Sequence, residues 1–302
     1  MRRQHLAGFG LLLCASALAG CAGMPNRQAA STDLAEAPGL AAADAPSLAF
    51  AAEEGGAAKT QAGFPLARSF APLAGTSPLN GRTIHVGAVA DLKLELKEVV
   101  LSFDDGPMPG KTRKILDTLD RYGVGATFLM VGQMADAYPD IAQDVARRGH
   151  AIGSHTERHK NLRTLSADAA MAEIHEGERS VDAALAPAGL EAAPFFRFPY
   201  LADTATLRSR LADEHTVPID VDIDSKDYFR STPDAVRART LAAVEKQGRG
   251  IILFHDIHGG TAAMLPGLLA DLQERGYKVV RLAPMPADGV LLASVPSMQV
   301  QR

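Results

Sequence analysis

The chain has no tryptophan and only two cysteines, Cys14 and Cys21, both near its beginning. Everything after residue 21 must therefore fold without a disulfide or a free thiol. Small secreted domains often depend on disulfides, whereas a domain with a large core does not. Charge of one sign is also lacking, since the net charge is −4 over 302 residues. That balance gives no basis for nucleic-acid binding. No apolar run is long enough to span a bilayer comfortably.

What stands at the start is a short apolar stretch from Leu6 to about Leu18, preceded by Arg2-Arg3 and followed by Leu18-Ala19-Gly20-Cys21. A basic head, a short apolar stretch and small residues before a cut site describe a secretory signal, here 1–20. The Leu-Ala-Gly-Cys ending resembles a bacterial lipobox. This implies acylation of Cys21 and a protein anchored by lipid in the bacterial cell envelope, facing the periplasm or the exterior. Residues 21–75 are rich in Ala, Pro, Gly and Ser without a sustained period and read as a disordered tether. A flexible coil of about 50 residues spans about 40 Å on average. Residues 285–302 read as a tail.

Between them, 76–284 read as one folded domain. Candidate strands are 99–103, 126–131, 150–154, 195–198, 217–223, 251–255 and 278–282. Amphipathic helices alternate with them. Ile115, Leu116, Leu119 and Tyr122 mark one helix face, and Met171, Ile174, Val181 and Leu185 another with Ser166 as its N-cap. Thr232-Pro233 opens a further helix in N-cap and N1 order. Seven strands alternating with helices, several of them near-continuously apolar, predict parallel pairing in a sheet buried on both faces. Doubly wound sheets and barrels both place chemistry at the carboxyl ends of strands. Five strand ends aimed at one centre suit a closed or nearly closed barrel. The segment 76–97 is read as a hairpin or cover strand added to it.

Five motifs sit at five strand exits: Asp104-Asp105-Gly106-Pro107, His155-Thr156-Glu157-Arg158-His159, Arg197-Phe198-Pro199-Tyr200, Asp224-Ser225-Lys226-Asp227-Tyr228 and Leu253-Phe254-His255. Asp105, His155 and His159 offer one carboxylate and two imidazoles, and three protein ligands with open positions characterise a catalytic metal site. The ligand types suit zinc, with cobalt or nickel as alternatives. The spacing of the two histidines predicts the same side of a helical turn. Asp104 and Asp105 cannot point the same way from an extended strand. One can hold metal while the other accepts a proton from water.

In this order the five motifs resemble those of the polysaccharide deacetylases, the family 4 carbohydrate esterases, over about residues 94–284. The resemblance implies a distorted seven-stranded (β/α) barrel. It implies Asp104 as general base and Asp105, His155 and His159 as metal ligands. Arg197 would hold Asp104 ionised, and the Tyr200 N–H would help stabilise the oxyanion. His255 would be the general acid, raised by Asp227, and Leu253 would shape a pocket for the acetyl methyl. Two positions depart from the family pattern. Tyr228 stands where tryptophan is usual, which keeps an aromatic face for a sugar ring but adds a hydroxyl. Lys160 stands where proline is frequent. The implied reaction removes N-acetyl groups from an N-acetylglucosamine-containing polysaccharide, such as peptidoglycan, poly-N-acetylglucosamine or chitin oligomers. The alternatives are an O-acetyl polysaccharide esterase and an inactive glycan-binding lipoprotein.

Asp220, Asp222 and Asp224 lack the glycine and glutamate that a calcium loop requires, so that reading is rejected. His150 and His175 read as structural or surface groups. His258 is close enough to His255 to line a subsite.

Overall fold

The computed structural model describes residues 77–286. The predicted signal, the tether and Cys21 lie outside the described residues. Among the described residues there are nine strands: β1 (Asn80–Val86), β2 (Glu98–Asp104), β3 (Thr127–Met130), β4 (Ala151–Ser154), β5 (Phe195–Phe196), β6 (Val217–Pro218), β7 (Ile223–Asp224), β8 (Gly250–His255) and β9 (Lys278–Pro284). Seven α-helices join them: α1 (Thr112–Tyr122), α2 (Gly132–Ala137), α3 (Pro139–Arg147), α4 (Ala167–Leu185), α5 (Ala205–Asp213), α6 (Pro233–Gln247) and α7 (Gly259–Glu274).

Every strand pair is parallel, as near-continuous apolar strands require. Hydrogen bonding runs β6-β5-β4-β3-β2-β8-β7. In a flat sheet the outer two of these seven strands would lie about 29 Å apart, at about 4.8 Å per neighbour. Yet Pro218 and Ile223 are only five residues apart in sequence, a reach of at most about 18 Å. The sheet must curl, and the result is the distorted (β/α) barrel that the motif order predicted. β9 pairs with Glu98 and Val99 on the β3 edge of β2, before β3 begins, and carries β1 beside it. The segment 76–97 thus supplies a parallel cover strand and no hairpin.

Alternation along the strands sorts the core. Val99, Leu101, Phe103, Phe128, Ile252 and Phe254 face the helices, with Phe103 stacked between Phe128 and Phe254 at 5.0 and 5.6 Å between ring centres. Val100, Leu129, Phe195, Val217, Ile219 and Ile251 fill the inside. The predicted helix starts hold: Ser166 Oγ accepts from the Ala169 N–H and Thr232 Oγ1 from the Ala235 N–H, each at 3.2 Å. Helices α2 and α5 carry no strong periodic signal and went unanticipated. The expected strand 217–223 is two short strands. Between them, the carbonyls of Ile219 and Asp220 accept from the Arg197 side chain, so the ladder breaks there.

Candidate active site

The alternation that puts Val100 inside the barrel also turns Ser102 and Asp104 inward. Parallel register then places Asp104 level with His255 on β8 and Ser102 level with Leu253. Leu253 is buried, on the same face as His255 and opposite Phe254.

Arg197, at the exit of β5, is 1% exposed. Its guanidinium donates to Asp104 Oδ1 at 2.7 Å, Ser102 Oγ at 2.9 Å, the Ile219 carbonyl at 2.9 Å and the Asp220 carbonyl at 3.4 Å. Ser102 Oγ in turn donates to the Ile252 carbonyl at 2.8 Å. A fully buried ion pair survives only when its remaining polar atoms are also satisfied, and here the backbone does this. Burial pushes the Asp104 carboxyl above its ordinary value, while the adjacent Arg197 charge opposes that rise. The carboxylate is thus a stronger proton acceptor than one in water.

Asp105 follows the strand in a left-handed conformation, with φ of 77°, so that its carboxylate and that of Asp104 both approach His155 Nε2, which lies 3.8 Å from Asp104 Oδ2. Asp105 Oδ1 lies 3.3 Å from His159 Nε2 and 3.6 Å from His155 Nε2, and it is buried without a hydrogen-bond partner. The ligand atoms of Asp105, His155 and His159 all lie within 4.8 Å of one another. His155 Nδ1 is 2.7 Å from the Arg197 carbonyl oxygen, which can only accept. The proton therefore sits on Nδ1, and Nε2 turns its lone pair toward Asp105. Burial lowers the His155 pKa to about 3, so the ring is neutral, as a ligand must be. A carboxylate oxygen without a donor, facing two imidazole nitrogens, fits a divalent cation. The two histidines do not share a helical turn. They lie in an open loop after β4 in which Thr156 and His159 have φ of 68° and 53°, and this loop aims both rings at Asp105.

On the opposite flank, His255 Nδ1 lies 2.7 Å from Asp227 Oδ1. Asp227 Oδ2 accepts from the His255 N–H at 2.8 Å and from Thr261 Oγ1 at 2.6 Å. Burial alone would lower the His255 pKa, but the Asp227 hydrogen bond and charge outweigh it and raise the pKa to about 9. The Tyr228 ring meets His255 edge-on at 5.4 Å, and its hydroxyl donates to Asp224 Oδ2 at 2.9 Å. The Tyr200 ring stands edge-on to His159 at 4.7 Å. Both tyrosines are exposed, beside Leu201 and Phe229. The structure thus brings Asp104, Asp105, His155, His159, Arg197, Asp227, Tyr228, Leu253 and His255 to one end of the barrel, with Tyr200 at its edge.

Three supporting residues escaped sequence reading. Ser102 could have been found from its place two residues before Asp104 on the same face. Thr261 lies at the start of α7, and nothing local ties it to Asp227. Asp256 is buried, accepts from Thr112 Oγ1 at 2.6 Å and sits so close to Gly106 that a Cβ there would be 2.1 Å from its carboxylate. His150 is buried with its Nδ1 3.3 Å from the Ala126 N–H, and His175 pairs with Glu214 on the surface, so the one is structural and the other a surface group, as expected. The His258 ring is 5.8 Å from that of His255.

Polar groups that converge at the carboxyl ends of parallel barrel strands, around a carboxylate and two imidazoles, define a hydrolase-type (β/α) barrel. The polysaccharide deacetylase family profile matches residues 92–216. A chitin deacetylase of Colletotrichum lindemuthianum is 33% identical over 232 residues, which cover 71% of this chain and 90% of that protein. A peptidoglycan-N-acetylglucosamine deacetylase of Listeria monocytogenes is 29% identical over 187 residues, covering 62% of this chain and 38% of that one. Among solved structures, a peptidoglycan deacetylase of Bdellovibrio bacteriovorus superposes with a TM-score of 0.60 at 36% identity, covering 70% of this chain and 58% of that one. The chain belongs to the polysaccharide deacetylase family, and its fold is that family's distorted barrel.

Proposed function

We propose that this protein is a metal-dependent deacetylase that removes N-acetyl groups from an N-acetylglucosamine-containing polysaccharide of the bacterial envelope. The observation that carries the reading is the pairing of Asp104 with Arg197 and of His255 with Asp227 at the same barrel end as the Asp105–His155–His159 triad. Zinc is the ion most in keeping with one carboxylate and two imidazoles. An ion held there supplies positive charge that polarises the acetyl carbonyl and makes an adjacent water more acidic.

Asp104 takes one proton from the water that attacks the carbonyl carbon, with Arg197 holding the carboxylate in place. The Tyr200 N–H donates to the developing oxyanion. His255, charged below about pH 9, gives a proton from Nε2 to the departing nitrogen as the C–N bond breaks. Asp227 fixes the tautomer through Nδ1. The products are acetate and a free amino sugar. Leu253 lines the place for the acetyl methyl, and Tyr228 offers a face to a sugar ring.

A charged acid favours the amide over the ester reading, because an amine leaves poorly without a proton. Among the described residues no helix is long and apolar enough to cross a membrane. We assign envelope anchoring to acylated Cys21, on its sequence context alone.

The roles separate in kinetics of two variants on an N-acetylated oligosaccharide and on an aryl acetate. Asp104→Asn should cripple both reactions, by about 10²–10⁴-fold. His255→Ala should cripple only the amide reaction, since the aryl leaving group departs unaided. Equal losses on both substrates for His255→Ala contradict the acid role.

A further inference from the structure

The loop that presents the two histidine ligands has no glycine, yet it holds two residues in the left-handed region. Such backbone is unfavourable for a residue with a Cβ and persists only when its surroundings over-determine it. Two helices do so. The first amides of α2 donate to the loop: Gly132 N–H to the Thr156 carbonyl at 2.9 Å and Gln133 N–H to the Glu157 carbonyl at 3.2 Å. From the other side comes Glu173 of α4, and this single residue receives three donors from the loop. Its carbonyl accepts from the Glu157 N–H at 3.1 Å, Oε1 from the Arg158 N–H at 2.7 Å, and Oε2 from Lys160 Nζ at 2.7 Å.

The donors bracket His159, with Arg158 before it and Lys160 after it. Glu173 is 3% exposed. A carboxylate so buried demands compensation, and the loop supplies it with one ammonium and one amide. One turn further along α4, Gly177 lets the loop close in, since a Cβ there would lie 2.4 Å from the Thr156 carbonyl carbon.

We propose that Glu173 is a positioning residue which, with Lys160 as its counter-ion, fixes the placement of the His159 ring relative to His155 and thereby sets the metal affinity of the triad. Glu173 touches neither the ligand nitrogens nor the reacting atoms. It acts through the backbone on which His159 is carried, as groups outside the immediate ligands commonly orient them. The proposal rests on the reading of Asp105, His155 and His159 as metal ligands.

The test is a zinc titration of metal-depleted protein in competition with a chromophoric chelator. It compares wild type with Glu173→Gln, Lys160→Met and, as a control, Glu176→Gln, whose carboxylate meets only the exposed Arg158 side chain. Circular dichroism at the titration temperature verifies folding. Glu173→Gln should bind zinc about tenfold more weakly, the lower end of the range for groups that orient ligands. Lys160→Met strips the ammonium from a buried carboxylate that keeps the Arg158 N–H, and because Lys160 itself is half-exposed the loss of zinc affinity should be about threefold, in protein that circular dichroism shows to be folded. Glu176→Gln should bind as wild type. Excess zinc should return kcat in both affected variants to the wild-type value with KM unchanged. Wild-type affinity in Lys160→Met, or a kcat that stays low at saturating zinc, overturns the proposal and leaves the triad standing. A wild-type protein that binds no zinc removes triad and positioning residue together.

Discussion

Replacing Asp227 by Asn changes little in shape and removes one charge from beneath His255. The imidazole has a pKa of about 9 against an ordinary 6.5. At 1.36 kcal/mol per pKa unit, that gap is about 3 kcal/mol of preference for the charged ring. Burial works against this preference, so the Asp227 charge and hydrogen bond must outweigh it. The Asn oxygen can still accept from Nδ1, but the amide nitrogen cannot accept from the His255 N–H or from Thr261 Oγ1. The His255 pKa should then fall toward 6.5 or below, leaving a neutral ring at neutral pH. Because the folded pKa is raised, the linked stability is fully present below about pH 6.5 and is lost as pH rises through about 9. Asp227 itself is held below its ordinary carboxylate value: burial pushes it up, but its bonds to His255 and Thr261 prevail. Its contribution is present above about pH 3.8 and is lost as pH falls through the lowered value. Wild type should therefore exceed Asp227→Asn in stability most between about pH 4 and 6.5, by about 3 kcal/mol, with the gap shrinking toward pH 9. Denaturant unfolding at about pH 5.5 and 9.5, with an NMR titration of the His255 ring in metal-depleted protein, reads both quantities. A ring that still titrates near 9 in the variant, or a stability gap equal at the two pH values, would show that Asp227 does not hold the His255 proton.

Arg197→Met should leave Asp104 buried and uncompensated. We expect a loss of about 3–5 kcal/mol in urea unfolding, partly recovered by adding Asp104→Asn, because breaking one side of a buried pair costs more than removing both. Cys21→Ser should release the protein from membranes or leave it unprocessed, since one acylated residue is its only proposed anchor. Fractionation of cells expressing the variant checks this, and a processed variant that stays with the membrane contradicts lipid anchoring.

The parts of this molecule that follow from local periodicity were legible in its sequence. Apolar runs marked the strands, and Ser166 and Thr232 marked helix starts. The five polar motifs at strand exits implied one centre, and two-residue alternation together with parallel register explains why Asp104 and His255 meet. What escaped depends on contacts distant in sequence. The break between β6 and β7 comes from Arg197, about 22 residues earlier, drawing the carbonyls of Ile219 and Asp220 out of the ladder. The loop bearing His155 and His159 looked like a helical turn because four-residue spacing is ambiguous. Its left-handed residues are set by α2 and α4, and non-glycine residues give no sign of such a conformation. Thr261 belongs to the Asp227 site only because α7 begins beside β7 and β8, which no short motif records.

The measurement that bears most directly on the account is acetate release from N-acetylglucosamine oligomers by wild type and by His159→Ala, with metal removed by chelation and then restored as zinc. Wild type should release acetate, chelation should abolish the release and zinc should restore it. His159→Ala should keep its fold but lose both metal content and acetate release. Acetate release that survives complete metal removal, or a His159→Ala variant that keeps wild-type metal content and rate, would contradict metal-dependent deacetylation.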